Sequence, residues 1–137
     1  MRLSTKGRYG LRAAVDLAMH TDETAVSISS IAARQELSES YLEQLLAKLK
    51  KAGIVTSVRG TNGGYRLTRS PEDISVGEVL RALEGSFSVM DCPEDQSCEG
   101  YDACITKYVW KRVNDSINQV VDSMSLEEVV ENGIRKQ

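Results

Sequence analysis

The chain has 137 residues, 41% of them hydrophobic and 27% charged, with a formal net charge of -3. That length supports one small core with an extension rather than two independent cores. No apolar run approaches the roughly 20 residues of a membrane helix, and the charged start MRLSTKGRYGLR lacks the apolar stretch of a secretion signal, so the expected address is the cytoplasm, with no membrane partner.

Charge is divided unevenly along the chain. Residues 1–70 carry 11 Lys/Arg and 6 Asp/Glu, a balance of +5, whereas residues 71–137 carry 6 and 14, a balance of -8. The amino-terminal half is therefore suited to a polyanion.

Ser4 or Thr5 caps a first predicted helix whose apolar face includes Leu11, Ala14, Val15, Ala18 and Met19, ending at Thr21-Asp22-Glu23. A short second helix starts after Ser27 or Ser29, carries Ile28, Ile31 and Ala32, and stops near Gln35-Glu36. Leu42, Leu45, Leu46 and Leu49 recur at helical spacing, with Ser38 before them and Gly53 behind. This spacing predicts a third helix over 39–51 that leaves Ser40, Glu43, Gln44, Ala47 and Lys48 on or near its other side. Ser38 lacks the acidic partner of a full capping box, because Tyr41 stands three residues on.

The period then changes. Ile54–Val58 and Gly64–Thr68 read as strands of a hairpin around Arg59-Gly60-Thr61-Asn62-Gly63, where Asn62-Gly63 is a turn signal. Pro71 precedes a helix from Ser75 to Glu84 with Val76, Val79, Leu80 and Leu83 as its buried stripe, ended by Gly85. Tyr101 to Met124 reads as a long amphipathic helix containing Ala103, Ile105, Tyr108, Val109, Val113, Ile117, Val120 and Val121. Ser125 and Glu128 then form a capping-box pattern before Leu126 to Ile134.

Three helices followed by a two-stranded wing give a mainly α fold, a winged helix-turn-helix with a long carboxyl-terminal dimerisation helix. The expected division is a DNA-binding domain over 1–85, a cysteine-rich loop over 86–104, and a dimerisation helix and tail over 105–137. The long helix has too little core of its own to cover it, so a two-fold homodimer on double-stranded operator DNA is expected. On the third helix Gln44 can pair with adenine, Ser40 with several base edges, and Glu43 with the amine of cytosine, with Tyr41 nearby. Lys48, Arg2, Lys6, Arg8 and Arg12 are candidate phosphate contacts, and Arg59 and Thr61 sit at a wing tip suited to a minor groove.

Cys92, Cys98 and Cys104 are the only cysteines and fall among acidic and polar residues. An odd, closely spaced set argues against a disulfide framework, and soft thiolates suit an iron–sulfur centre. Zinc would use the same atoms, although the two five-residue gaps are wider than its usual spacing, and direct thiol oxidation is a further reading. Gly60-Thr61-Asn62-Gly63-Gly64 lacks the ending of a phosphate loop, and His20 has no assignable acid–base partner, so no enzyme is expected.

The stretches Leu3–Gly10, Leu37–Leu45, Val58–Tyr65, Leu83-Glu84-Gly85 and the three-cysteine loop together resemble the IscR-like, iron–sulfur-dependent winged-helix regulator family, whose relatives include NsrR and CymR. The resemblance covers nearly the full length. It implies a homodimeric transcription factor, generally a repressor, acting on iron–sulfur biogenesis or cysteine-supply genes. It also implies an iron–sulfur cluster on Cys92, Cys98 and Cys104, with [2Fe–2S] as the expected form. Lys107 stands where the family's histidine ligand is expected, which leaves the fourth position to Asp91, Glu99, Asp102, His20 or an external ligand, or to a [4Fe–4S] form. Arg8 departs from the acidic ligand of the NsrR pattern. Two rival classes are a cluster-free cysteine-metabolism repressor governed by a protein partner or thiol oxidation, and a structural partner-binding protein of metal-cofactor assembly.

Overall fold

The computed structural model describes residues 3–85 and 105–135. They form α1 (Thr5–Ala18), α2 (Ile28–Gln35), α3 (Glu39–Lys51), β1 (Val55–Val58), β2 (Gly64–Leu67), a 3-10 turn over Pro71–Asp73, α4 (Val76–Glu84), α5 (Lys107–Ser123) and α6 (Leu126–Arg135). The mainly α winged helix-turn-helix expected from the sequence is the fold observed, with a carboxyl-terminal helix following the wing.

Serines set the helix starts. Ser4, Ser27, Ser38 and Ser75 each accept from a backbone N–H in the first turn of α1, α2, α3 and α4 respectively. At α4 the arrangement is a complete capping box, because Glu78 also accepts from the N–H of Ser75. Glu36 ends α2 in the left-handed region with φ 55, and Leu37 and Ser38 complete the tight turn into α3.

Leu42, Leu45, Leu46 and Leu49 of α3 are buried with Leu17, Ile31, Ile54, Val55, Ile74, Val79 and Leu83 in one core. Truncating one such leucine to alanine costs about 2–5 kcal/mol. Of the expected face of α1, Ala14 and Ala18 are buried and Leu11 and Val15 are partly buried against the core, whereas Met19 is exposed; the buried face also takes in Gly7, Gly10, Ala13 and Leu17, which the expectation did not include. Close approach is the cause. A Cβ at Gly10 would stand 2.2 Å from Leu83 Cδ1, so α1 and α4 pack almost backbone to side chain, and the smallest residues face inward.

In the wing, Val55 pairs with Leu67 and Val58 with Gly64 in antiparallel register. A further bridge joins Tyr65 to Val26, each donating its N–H to the other's carbonyl at 2.8 Å, which ties the wing to the chain entering α2. This third pairing has no counterpart in the sequence reading. It leaves no room for a side chain at Gly64, where φ is +157 and a Cβ would lie 2.1 Å from the Val26 carbonyl oxygen.

The described part of the long helix begins at Lys107, after a turn over Ile105 and Thr106, later than the expected Tyr101; residues 101–104 lie outside the described residues. Thr106 stands at the N-cap of the described helix, with φ -98 and ψ 0. One face of α5 places Ile117, Val121 and Met124 against Val76 and Leu80. The chain then returns to the core: Val76 N–H donates to the Met124 carbonyl, Leu126 N–H donates to the Ile74 carbonyl, and Leu126 is fully buried.

Candidate nucleic-acid interface

The four leucines of α3 hold one side of the helix in the core, so the opposite side is presented to solvent by helical geometry. That side carries Ser40, Glu43, Gln44, Ala47 and Lys48, all exposed. The arrangement puts hydrogen-bonding groups able to address base edges at the amino-terminal half of the helix and a cation farther along. Lys48, Lys50 and Lys51 in the last turn also complement the helix dipole. Lys50 donates to Ser57 Oγ at 2.9 Å, fixing α3 against the first strand of the wing.

Arg59 and Thr61 are exposed at the wing tip, between strands held by the β1–β2 ladder. Lys6 and Arg8 are exposed on the first turns of α1, while Arg2 lies outside the described residues. Arg12 is engaged within the fold, donating to the Gln35 side chain and carbonyl at 3.0 Å each and lying over the Tyr9 ring at 5.3 Å.

Tyr41 differs from its neighbours in being half-buried. Its hydroxyl donates to Thr5 Oγ1 at 3.2 Å, and its ring meets Tyr9 edge-on with centroids 6.3 Å apart. The first turn of α3 is thereby joined to the first turns of α1.

Three polar linkages absent from the sequence reading brace this surface. Asp16, almost wholly buried on α1, accepts from Arg34 at 2.7 and 2.9 Å and from Gln35 at 2.9 Å, locking α1 to α2. Burial opposes the charge on Asp16, but the hydrogen bonds of Arg34 and Gln35, with the charges of Arg34 and His20, outweigh it and hold the carboxyl below its ordinary range. Arg81 of α4 donates to both Asp122 oxygens at 2.7 and 2.9 Å and to Asn118 at 2.7 Å, fastening α5 to α4. Glu84 accepts from Ser4 and Gly7 at the start of α1, and these hydrogen bonds, Ser4's hydroxyl first, hold its carboxyl below the ordinary range. No local pattern announces such pairs, because the partners lie between 18 and 80 residues apart.

Cys92, Cys98 and Cys104, with Asp91, Glu99 and Asp102, lie outside the described residues. As a donor set, three thiolates and nearby carboxylates fit an iron–sulfur centre. Lys107, the first residue of α5, brings an amine where a ligand is expected, which is a poor donor for iron. His20 lies beyond the carboxyl-terminal end of α1, with Nδ1 2.7 Å from the Asp16 carbonyl oxygen. Glu84, after which the chain departs toward the cysteines, contacts the opposite end of that helix. Roughly 20 Å of helix separates Gly7 from His20.

Among the described residues no helix is long and apolar enough to cross a membrane. Along α5, Tyr108, Val109, Val113 and Val120 are all exposed, as is Ile105 in the turn before it, at 95%.

The comparisons with known proteins agree with this geometry. A family model described as Rrf2, iron-dependent transcriptional regulator, matches residues 3–132. The HTH-type transcriptional regulator IscR of Pectobacterium atrosepticum is 42% identical over 132 residues, covering 96% of this chain and 80% of the relative. Among solved structures, IscR of T. potens is 47% identical with a TM-score of 0.80, covering all of this chain and 91% of the other. CymR, the global cysteine regulator of B. subtilis, is 40% identical with the same TM-score of 0.80, covering 96% and 98%.

Proposed function

The chain belongs to the Rrf2 family and is a DNA-binding transcriptional regulator rather than an enzyme, and from that premise we infer a homodimeric, sequence-specific repressor of iron–sulfur biogenesis or cysteine-supply genes, switched by an iron–sulfur cluster. The observation that carries the DNA-reading part is the exposed polar face of α3, backed by four buried leucines and braced to the wing. Ser40, Glu43 and Gln44 read base edges in the major groove. Lys6, Arg8, Lys48 and Arg2 set register on phosphates, with Tyr41 supporting the start of α3, and Arg59 and Thr61 reach the adjacent minor groove.

The exposed apolar stripe of α5 supports a second copy of this chain as its cover. A two-fold pair would present two α3 helices roughly 34 Å apart, one turn of B-DNA, on a pseudo-palindromic operator. Cys92, Cys98 and Cys104 would hold the cluster, with [2Fe–2S] as the expected form and a fourth ligand other than Lys107. When bound, the group would supply a dependence on iron that thiols alone lack, beside a sensitivity to oxidants. Regulation then requires that loaded and empty protein favour different arrangements of the reading surface, since only differential stabilisation shifts operator affinity.

Anaerobic reconstitution with iron and sulfide quantification, followed by binding to the upstream region of the protein's own coding sequence, tests this reading. Retention of that DNA with affinity changing between loaded and empty forms is expected, together with loss of the change when all three cysteines are replaced by alanine. Absence of iron and sulfide, or identical binding by both forms, overturns the cluster switch. The likeness to CymR favours one second reading, a cluster-free regulator of cysteine supply, for which the wild type would bind no iron or sulfide and the triple variant would regulate normally if a protein partner governs it but lose regulation if thiol oxidation does.

A further inference from the structure

Glu84 is the last residue of α4, yet its side-chain hydrogen bonds run to the start of α1. One carboxylate oxygen accepts from the backbone N–H of Ser4 at 3.1 Å and of Gly7 at 2.7 Å, and from the Ser4 hydroxyl. The first N–H groups of a helix have no partner within it. Here they are met from 77 and 80 residues away, while Ser4 Oγ itself accepts from Lys6 N–H. The approach depends on Gly7, where a Cβ would stand 2.6 Å from Glu84 Oε1.

The turn held in this way is the one that meets α3. Thr5 accepts from the Tyr41 hydroxyl, and Tyr9 seats the Tyr41 ring. Tyr41 directly follows Ser40 and precedes Glu43 and Gln44 on the same first turns of α3. Lys6 and Arg8 leave the same part of α1. One turn before Glu84, Arg81 grips Asp122 and Asn118 of α5. Helix α4 thus has one hand on α5 and the other on the turn behind the reading surface.

We propose that Glu84 is a positioning residue for operator recognition, acting as a carboxylate clamp on the first turn of α1 that fixes the start of α3 through Thr5, Tyr9 and Tyr41. This rests on the reading of α3 as the helix that addresses DNA bases. It predicts an effect opposite in sign to simple electrostatics. Removing a negative charge near DNA should tighten binding, whereas removing the clamp loosens specific binding.

The test measures wild type, Glu84→Ala, Glu84→Gln, Tyr41→Phe and the Glu84→Ala/Tyr41→Phe double variant on operator DNA and on unrelated duplex of equal length, each over a salt series, with circular dichroism and thermal melts for fold. Glu84→Ala should lose about tenfold in operator affinity, the size of one or two strong hydrogen bonds. Its salt slope should fall by about 0.9 if one phosphate contact is lost with the turn. Glu84→Gln, whose amide oxygen accepts the same N–H groups, should recover most of the loss. Tyr41→Phe should weaken operator binding in the same direction and be less than additive with Glu84→Ala. The clamp is overturned if both Glu84 variants tighten binding in parallel, or if Glu84→Ala binds as wild type does. Should Glu84→Ala fail to fold, unchanged operator affinity in Tyr41→Phe decides against the proposal. Failure of wild type to distinguish operator from unrelated duplex would instead remove the reading of α3 itself.

Discussion

Asp16 shows how much of this molecule rests on single polar side chains. Its carboxylate gathers Arg34 and Gln35 of α2 onto α1 in a site that excludes water from the acid itself. Asp16→Ala leaves those donors without their acceptor and should cost about 2–4 kcal/mol, measured by denaturant unfolding. The folded acid titrates below its ordinary range. Its contribution is therefore fully present above the unfolded value, near pH 4, and is lost as pH falls through the lower folded value. In a stability profile from about pH 5 to pH 2, Asp16→Asn should show a shallower acid decline than wild type. Sequence reasoning passed over this residue because a lone aspartate in a helix ordinarily faces solvent, and the partners that make it different are 18 and 19 residues away.

At the scale of elements, α3 was legible almost completely: its ends, its capping serine and its leucine face follow from local chemistry and a single periodicity. The same holds for the hairpin, whose first strand is marked by Val55, Thr56 and Val58, whose second carries Tyr65 and Leu67 in alternation, and whose turn is marked by Asn62-Gly63. Helix α1 was less legible because glycine and alanine carry almost no hydropathic signal. A face built on Gly7, Gly10 and Ala13 for close contact therefore looks weaker than the neighbouring face with Leu11, Val15 and Met19. For α3 the proposed role makes a base-level prediction. Gln44→Ala should lose about 1–3 kcal/mol of discrimination at one adenine-containing position, and Glu43→Ala should relax preference at a cytosine, both scored on a panel of single-base operator variants. Uniform weakening across all variants would instead identify these residues as backbone contacts.

The whole molecule combines a basic reading half with an acidic remainder, and its long helix was recognisable by amphipathic pattern although its described start falls at Lys107. What the pattern alone did not distinguish is that α5 has two apolar sides with different fates. Ile117 and Val121 pack on α4, while Val109, Val113 and Val120 face outward. Val113→Asp on that outer stripe should shift the protein from dimer to monomer in sedimentation or light scattering, with the thermal melt of the reading domain little changed. A monomer should also lose operator affinity by far more than its affinity for unrelated duplex, because two half-sites are no longer engaged together. The cysteine segment gave a clear chemical signal in sequence, three soft candidate donors in a polar setting, but what would complete a site depends on spatial neighbours that spacing does not encode.

Leu126 is buried in the same core as the leucines of α3 and donates its N–H to the Ile74 carbonyl, so the helix that precedes it is riveted to the reading head rather than strung from it. In the proposed pair this makes the protein a caliper of nearly fixed gauge. Such a caliper forgives a changed letter within a half-site more readily than a letter added between them.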